Sequence, residues 1–236
     1  MKTKIKISYV ILKYDDQTDN IFTKVTNNEN HLYELPTFDY VQKQDGNLND
    51  VKRYILEKMI DFDVYLNERD IFIPFVNISF ENQIIIYDYV AIVFESNKTA
   101  LSAMSYESWY RINFNHKRQV WNLEWGSGVT DPIDMKLNNS AFTNFRVNSG
   151  DNDGINFDNV MYFITEQTRD FPILGLLSGD FFTMKQVQHY QDLLGIDALK
   201  AGSNETFERQ YADSIQVIKD DHLTTAYKFK KEYLKK

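Results

Sequence analysis

Residues 181–229 read FFTMKQVQHYQDLLGIDALKAGSNETFERQYADSIQVIKDDHLTTAYKF, and this stretch decides what kind of protein the chain makes. Thr183 followed by Gln186 has the form of a capping box: the threonine oxygen accepts from a free backbone N–H, and the glutamine reaches back. Met184, Val187, Tyr190, Leu193 and Leu194 then recur at helical spacing, and Gly195 stands where a left-handed helix stop is expected. A polar connector, Asp197 to Gly202, leads to Ser203 and Asn204, both good helix starters. The helix they open turns Phe207, Tyr211 and Ile215 inward, and Glu205, Glu208, Arg209 and Gln210 outward. Val217-Ile218, a polar tip of Lys219-Asp220-Asp221-His222 and the alternating run Leu223 to Phe229 make a hairpin. Helix, turn, helix and hairpin in that order outline a winged helix. Such modules serve protein partners as well as DNA, and a helical cap on a larger domain is the plainer alternative.

The charge distribution bears on which partner is meant. The 236 residues carry a formal net charge of −8, yet residues 171–236 hold nine basic and nine acidic side chains, so the whole acidic excess lies in 1–170. A neutral C-terminal module meets DNA through a local basic patch, and Lys228, Lys230, Lys231, Lys235 and Lys236 cluster at its end. The same lysines also read as a solubilising tail. Hydrophobic content of 43% and aromatic content of 15% fit a folded chain and exclude a disordered one. No apolar run approaches the ~18 residues of a membrane span, and no cleavage site follows the N-terminus, so a cytoplasmic protein without a membrane partner is expected. Cysteine is absent, which excludes disulfides, zinc–thiolate sites and thiol catalysis.

From the start of the chain, Ile5 to Tyr14 reads as a strand, Asp15 to Asn20 as a turn and Ile21 to Val25 as a second strand. After a polar loop at Asn27 to Asn30, His31 to Val41 is extended and broken by Pro36. Asp45-Gly46-Asn47 is a turn signal before a helix from about Leu48 to Phe62, whose apolar side holds Leu48, Val51, Ile55, Leu56, Met59 and Ile60. Ile71 to Ser79 and Ile84 to Phe94 form a hairpin around Glu81-Asn82-Gln83. Lys98 to Gly150, which contains Trp109, Trp121 and Trp125, is the least legible stretch. Asp158 starts a further helix that holds Val160, Met161, Phe163, Ile164 and Thr168 and ends at Phe171-Pro172.

Strand, strand, an LP-containing extended segment, an amphipathic helix and more strands is the order of a Nudix domain. Gly154-Ile-Asn-Phe157-Asp158-Asn-Val160 resembles the aFDH element of Nudix-related transcriptional regulators. Leu176-Leu177-Ser-Gly-Asp-Phe181-Phe-Thr183-Met184-Lys-Gln-Val187-Gln188-His-Tyr190 resembles their LLP-x-x-FTL-x-x-LQ-x-VY passage, and Leu194-Gly195, Asp197 and Phe207 fall near the LG…D…NF positions. The resemblance implies an α+β fold: a Nudix-like α/β/α sandwich with a mixed sheet over 1–157, with 102–150 inserted, then a linker helix and winged helix over 158–236. It further implies a homodimer that senses ADP-ribose or a related nucleotide sugar and regulates metabolic genes.

Hydrolysis by a Nudix domain needs a divalent ion held by the glutamates of G-x5-E-x7-R-E-U-x-E-E-x-G-U. One register puts Ile55, Lys58 and Met59 at the acidic positions; the better one keeps Glu57 and Asp61 but leaves Leu56, Ile60 and Asp63 where arginine, glutamate and glycine belong. Asp50, Glu57 and Asp61 share a stripe opposite the apolar side, as on an ordinary solvated face. The expectation is a sensor without catalytic residues or cofactor; in the alternative, a divergent pyrophosphatase, Glu57 and Asp61 would hold Mg2+. Arg53, Tyr54, Arg69 and Tyr87 are candidates for phosphate or ring contacts, each with a packing role as the plain alternative. The four histidines, His31, His116, His189 and His222, lack ligand spacing.

For DNA, the second helix offers Asn204, Thr206, Arg209 and Gln210 to base edges or phosphates. Lys185 and Gln186 sit where the first helix can hold a phosphate, and Thr224, Thr225 and Lys228 face the backbone from the hairpin. Family recognition helices resemble N-F-R-R-K; this one reads T-F-E-R-Q, with Glu208 in place of a base.

Overall fold

The computed structural model describes residues 2–24, 26–27, 33–34, 36–40, 48–60, 66–81, 83–96, 109–117, 120–125, 157–196, 200–219 and 225–231. Its centre is β1 (Lys2–Asp15), in which Ile7, Tyr9 and Ile11 alternate with Val10 and Leu12 and both sets are buried. A strand apolar on both faces must be covered twice, and the sheet around it is. β1 pairs in parallel with β7 (Ile84–Glu95), from Lys2↔Ile84 to Lys13↔Glu95, and antiparallel with β2 (Asn20–Lys24) and β5 (Thr37–Tyr40). The turn into β2 passes through Asp19 at φ +53°. With β6 (Ile71–Glu81), β8 (Trp109–Asn115) and β9 (Val120–Trp125), the order is β6-β7-β1-β2-β8-β9, a mixed sheet. A short ladder joins β3 (Thr26–Asn27) to β4 (Tyr33–Glu34). Pro74 lies where the β6–β7 register slips between Phe72 and Phe75, an edge-strand irregularity that tolerates a residue without an N–H.

One face of the sheet is closed by α1 (Leu48–Ile60), whose Val51, Ile55 and Met59 pack on Ile7, Ile11, Phe22, Ala91, Val93 and Trp109. The opposite face, with Val10, Leu12, Val90, Ile92, Tyr110 and Ile112, is covered by Val160, Met161 and Ile164 of α2 (Phe157–Asp170) and by the 3-10 segment Ile173–Ser178. That second core continues unbroken across residue 157 into the C-terminal module, through Phe182, Val187, Tyr190, Phe207, Tyr211, Tyr227 and Phe229. The described residues of the segment 102–150, read as an insertion, instead form β8 and β9 of the main sheet, paired to β2 through Phe22↔Arg111. Trp109 is core, and Trp121 donates its indole N–H to the Leu194 carbonyl at 2.7 Å, which fastens β9 to the C-terminal module. The Trp125 side chain lies outside the described residues.

In the C-terminal module, β10 (Phe182–Thr183) leads into α3 (Met184–Leu193), then α4 (Asn204–Gln210), β11 (Ile215–Lys219) and β12 (Thr225–Phe229). The three strands form an antiparallel sheet in the order β10-β12-β11. The capping box is present: Thr183 N donates to Gln186 Oε1 at 2.8 Å and Gln186 N to Thr183 Oγ1 at 3.2 Å. Gly195 closes α3 at φ +63°, and a Cβ there would collide with the Phe114 ring. Ile215 is buried as expected, but as the first residue of β11, because the backbone leaves the helix at Tyr211.

Candidate functional site

α1 carries the stripe on which a Nudix reaction would depend. Asp50, in its first turn, is engaged by the Arg53 guanidinium one turn on. Glu57 is exposed and has no partner among the described residues; Asp61 lies outside them. Ile55 and Met59, the acidic positions of the other register, are fully buried against the sheet. Among the described residues Glu57 is thus the one open carboxylate of the stripe, where a metal-bridged diphosphate needs several.

The candidate ligand contacts separate. Arg53 is exposed and turned to Asp50. Tyr54 donates its hydroxyl to the Asp39 carbonyl at 3.0 Å and meets Tyr40 and Phe38 edge-on, at 4.9 and 5.6 Å between ring centres; it fastens α1 to β5. Tyr87 stands half-buried in β7, in register with Ile5 and Ile78. Arg69, in the 3-10 turn Glu68–Asp70, is bound to Asp180 at 2.5 Å and Asp70 at 3.3 Å. It lines a cleft with Phe181, Gln216, Lys228, Phe229, Lys230 and Lys231. Arg69 and Lys228, expected at separate sites, thus share one.

Two polar groups escaped the sequence reading. Ser8 donates to both oxygens of Asp88, at 2.9 and 3.1 Å, and lies 2.9 Å from the Thr37 hydroxyl; burial pushes the Asp88 carboxyl up, against the pull of Ser8 and Lys6. At the carboxyl ends of β1 and β7 the in-register pair Lys13 and Glu95 is fully buried, 3.9 Å apart, with Asp15 beside it. Burial lowers the Lys13 pKa while Glu95 and Asp15 hold it up. The signal was available: Ile7, Tyr9, Ile11, Lys13 and Asp15 share one face, and only the last two are charged.

On the second module, Arg209 projects into solvent from α4 with no partner among the described residues. Lys185 is exposed on α3. The other candidates are partly committed. Gln186 closes the capping box, and Asn204 Nδ2 donates to Thr225 Oγ1 at 3.2 Å. The Thr206 hydroxyl lies 3.2 Å from that of Ser203, and Gln210 Nε2 donates to the Arg169 carbonyl at 3.3 Å. Glu208 accepts from the Tyr227 hydroxyl at 3.3 Å, so the acid that replaces a base is a strut between helix and hairpin. Lys228 projects from the opposite face of the hairpin to Tyr227 and Phe229, into the cleft, away from the α4 residues. Thr224 lies outside the described residues.

No protein-family model and no curated protein matches the sequence. Among solved structures, a MutT/Nudix family protein from Enterococcus faecalis superposes with a TM-score of 0.63 at 11% identity, over 98% of this chain and 89% of that one. NrtR from Shewanella oneidensis superposes free (TM-score 0.57, 13% identity) and complexed with a 27mer DNA (0.55, 12%), over 98% of this chain and 96% or 95% of theirs. The chain therefore has an α+β, Nudix-like fold, and the superposed length takes in its C-terminal module.

Proposed function

We propose that the protein is a DNA-binding transcriptional regulator whose Nudix-like domain binds a nucleotide sugar such as ADP-ribose without cleaving it. The observation that carries this reading is the outward Arg209 on α4, within a strand–helix–helix–hairpin module, in a chain that follows a DNA-complexed protein over 98% of its length. The module 158–236 acts as a winged helix, and 1–157 as the sensor. Binding without hydrolysis is supported by the composition of α1, where Leu56 and Ile60 stand in place of the Nudix arginine and glutamate.

A homodimer completes the reading. Among the described residues β6 ends the sheet, and its Val76, Ile78 and Phe80 are 38%, 51% and 65% exposed on one face, an apolar stripe beside that edge that a second copy would cover.

The competing reading, a divergent pyrophosphatase, is favoured by the likeness to the MutT/Nudix family protein. Calorimetry with ADP-ribose and Mg2+, followed by chromatography for AMP, separates the two. The regulator gives heat and no AMP; AMP formation abolished by Glu57→Gln establishes the enzyme.

A further inference from the structure

The cleft that gathers Arg69 and Lys228 has a volume of about 480 Å³ and is walled by Arg69, Lys228, Lys230, Lys231, Phe181 and Asp180. Its charge is out of keeping with the chain. Four cations and one carboxylate line it, with Asp70 buried behind Arg69, so the cleft is net positive even with both acids counted, whereas the molecule as a whole carries −8. Like charges are brought together only at a cost in free energy, and an anion between them removes it.

Asp180 is the acid that lines the cleft. Its carboxylate is 2.5 Å from Arg69 Nη2, and its side chain is 70% exposed, on the turn that follows Gly179. An exposed aspartate is a weak holder of a guanidinium, because water screens the pair. A phosphate offers the same fork more oxygens and more charge. Lys228 and Lys231 reach the same space, with no hydrogen bond or ion pair to any described residue, while Lys230 is partly held by the Ala212 carbonyl at 2.7 Å. Beside them Phe181 is 57% exposed, a ring left in solvent at the mouth of a basic cleft.

We infer that this cleft binds a small phosphate monoester bearing a flat ring: its phosphate takes Arg69 from Asp180 and is completed by Lys228 and Lys231, and its ring lies on Phe181. The volume suits a mononucleotide-sized guest. Because Arg69 precedes β6 and Lys228 belongs to β12, the guest clamps the hairpin to the main sheet. The site stands apart from α1 and from Arg209, and does not depend on DNA binding.

Calorimetry on the full chain with AMP, and with adenosine, tests it. AMP binds and adenosine binds at least about tenfold more weakly, since the charged contacts are lost. The double variant Lys228→Ala/Lys231→Ala, both at the surface, weakens AMP about tenfold or more, whereas Asp180→Asn tightens it about threefold. The latter removes the carboxylate that competes for the Arg69 Nη2 end, while the Nε side stays on Asp70. Lys117→Ala, an exposed lysine elsewhere, changes nothing. AMP binding that survives the double lysine variant, or that Asp180→Asn leaves unchanged or weakens, overturns the assignment, as does adenosine binding as tightly as AMP.

Discussion

At the scale of single residues, the join between sheet and helical module rests on a glycine. Gly195 holds φ +63° with Phe114 against the hydrogen that any other side chain would replace. Gly195→Ala meets both the left-handed penalty and an overpacked contact, so it should cost at least about 2 kcal/mol and lower Tm by several degrees. A Tm unchanged on calorimetry would show that the join yields freely. Asp19 fastens the β1–β2 turn to α3: it accepts from His189 Nε2 at 2.5 Å and from the Tyr14 hydroxyl at 2.9 Å, and these bonds hold its carboxyl below the usual range. A lowered folded pKa contributes stability in full above the unfolded value of about 3.9, and that contribution is lost as pH falls through the folded one. The Tm advantage of the natural protein over Asp19→Asn should therefore shrink between pH of about 5 and about 2. A difference independent of pH would mean that the carboxylate is not what holds the turn.

At the scale of elements, α2 is tied to α4 through the free carbonyls of its C-terminal end. The last carbonyls of a helix lack intrahelical partners. Here the Tyr211 hydroxyl donates to Thr168 O at 2.6 Å and the Gln210 amide to Arg169 O at 3.3 Å. Burial pushes the Tyr211 hydroxyl up to about 12, so it remains a donor at any working pH. Tyr211→Phe keeps the ring contact with Phe207 but strands a buried carbonyl, which should cost about 1–3 kcal/mol in urea denaturation. A variant as stable as the parent would show that water takes over the bond.

These elements also mark how far the sequence could be read. Thr183, Gln186, Gly195 and Ser203 announced α3 and α4 because caps act over three or four residues. β8 and β9 were missed although Tyr110, Ile112 and Phe114, and then Trp121, Leu123 and Trp125, alternate with polar residues, because their place beside β2 depends on partners far along the chain. The cleft was illegible for the same reason: Arg69 and Lys228 lie in opposite halves of the chain, and only the fold makes them neighbours.

At the scale of the molecule, one core runs from the central strands through α2 into the three-stranded sheet, so in the proposed reading a ligand held by the main sheet and DNA held by α4 would act on one packed body. This continuity is what a sensor joined to a DNA-reading module requires, because coupling travels through packed elements. The proposed DNA reading stands on Arg209, the α4 candidate with no internal partner among the described residues. The direct test is fluorescence anisotropy with duplex DNA from upstream of the gene, titrated across salt concentrations. Binding is predicted whose logarithm falls linearly with the logarithm of salt, with a loss of about tenfold in Arg209→Ala. No binding at low salt, or binding that Arg209→Ala leaves untouched, would contradict it.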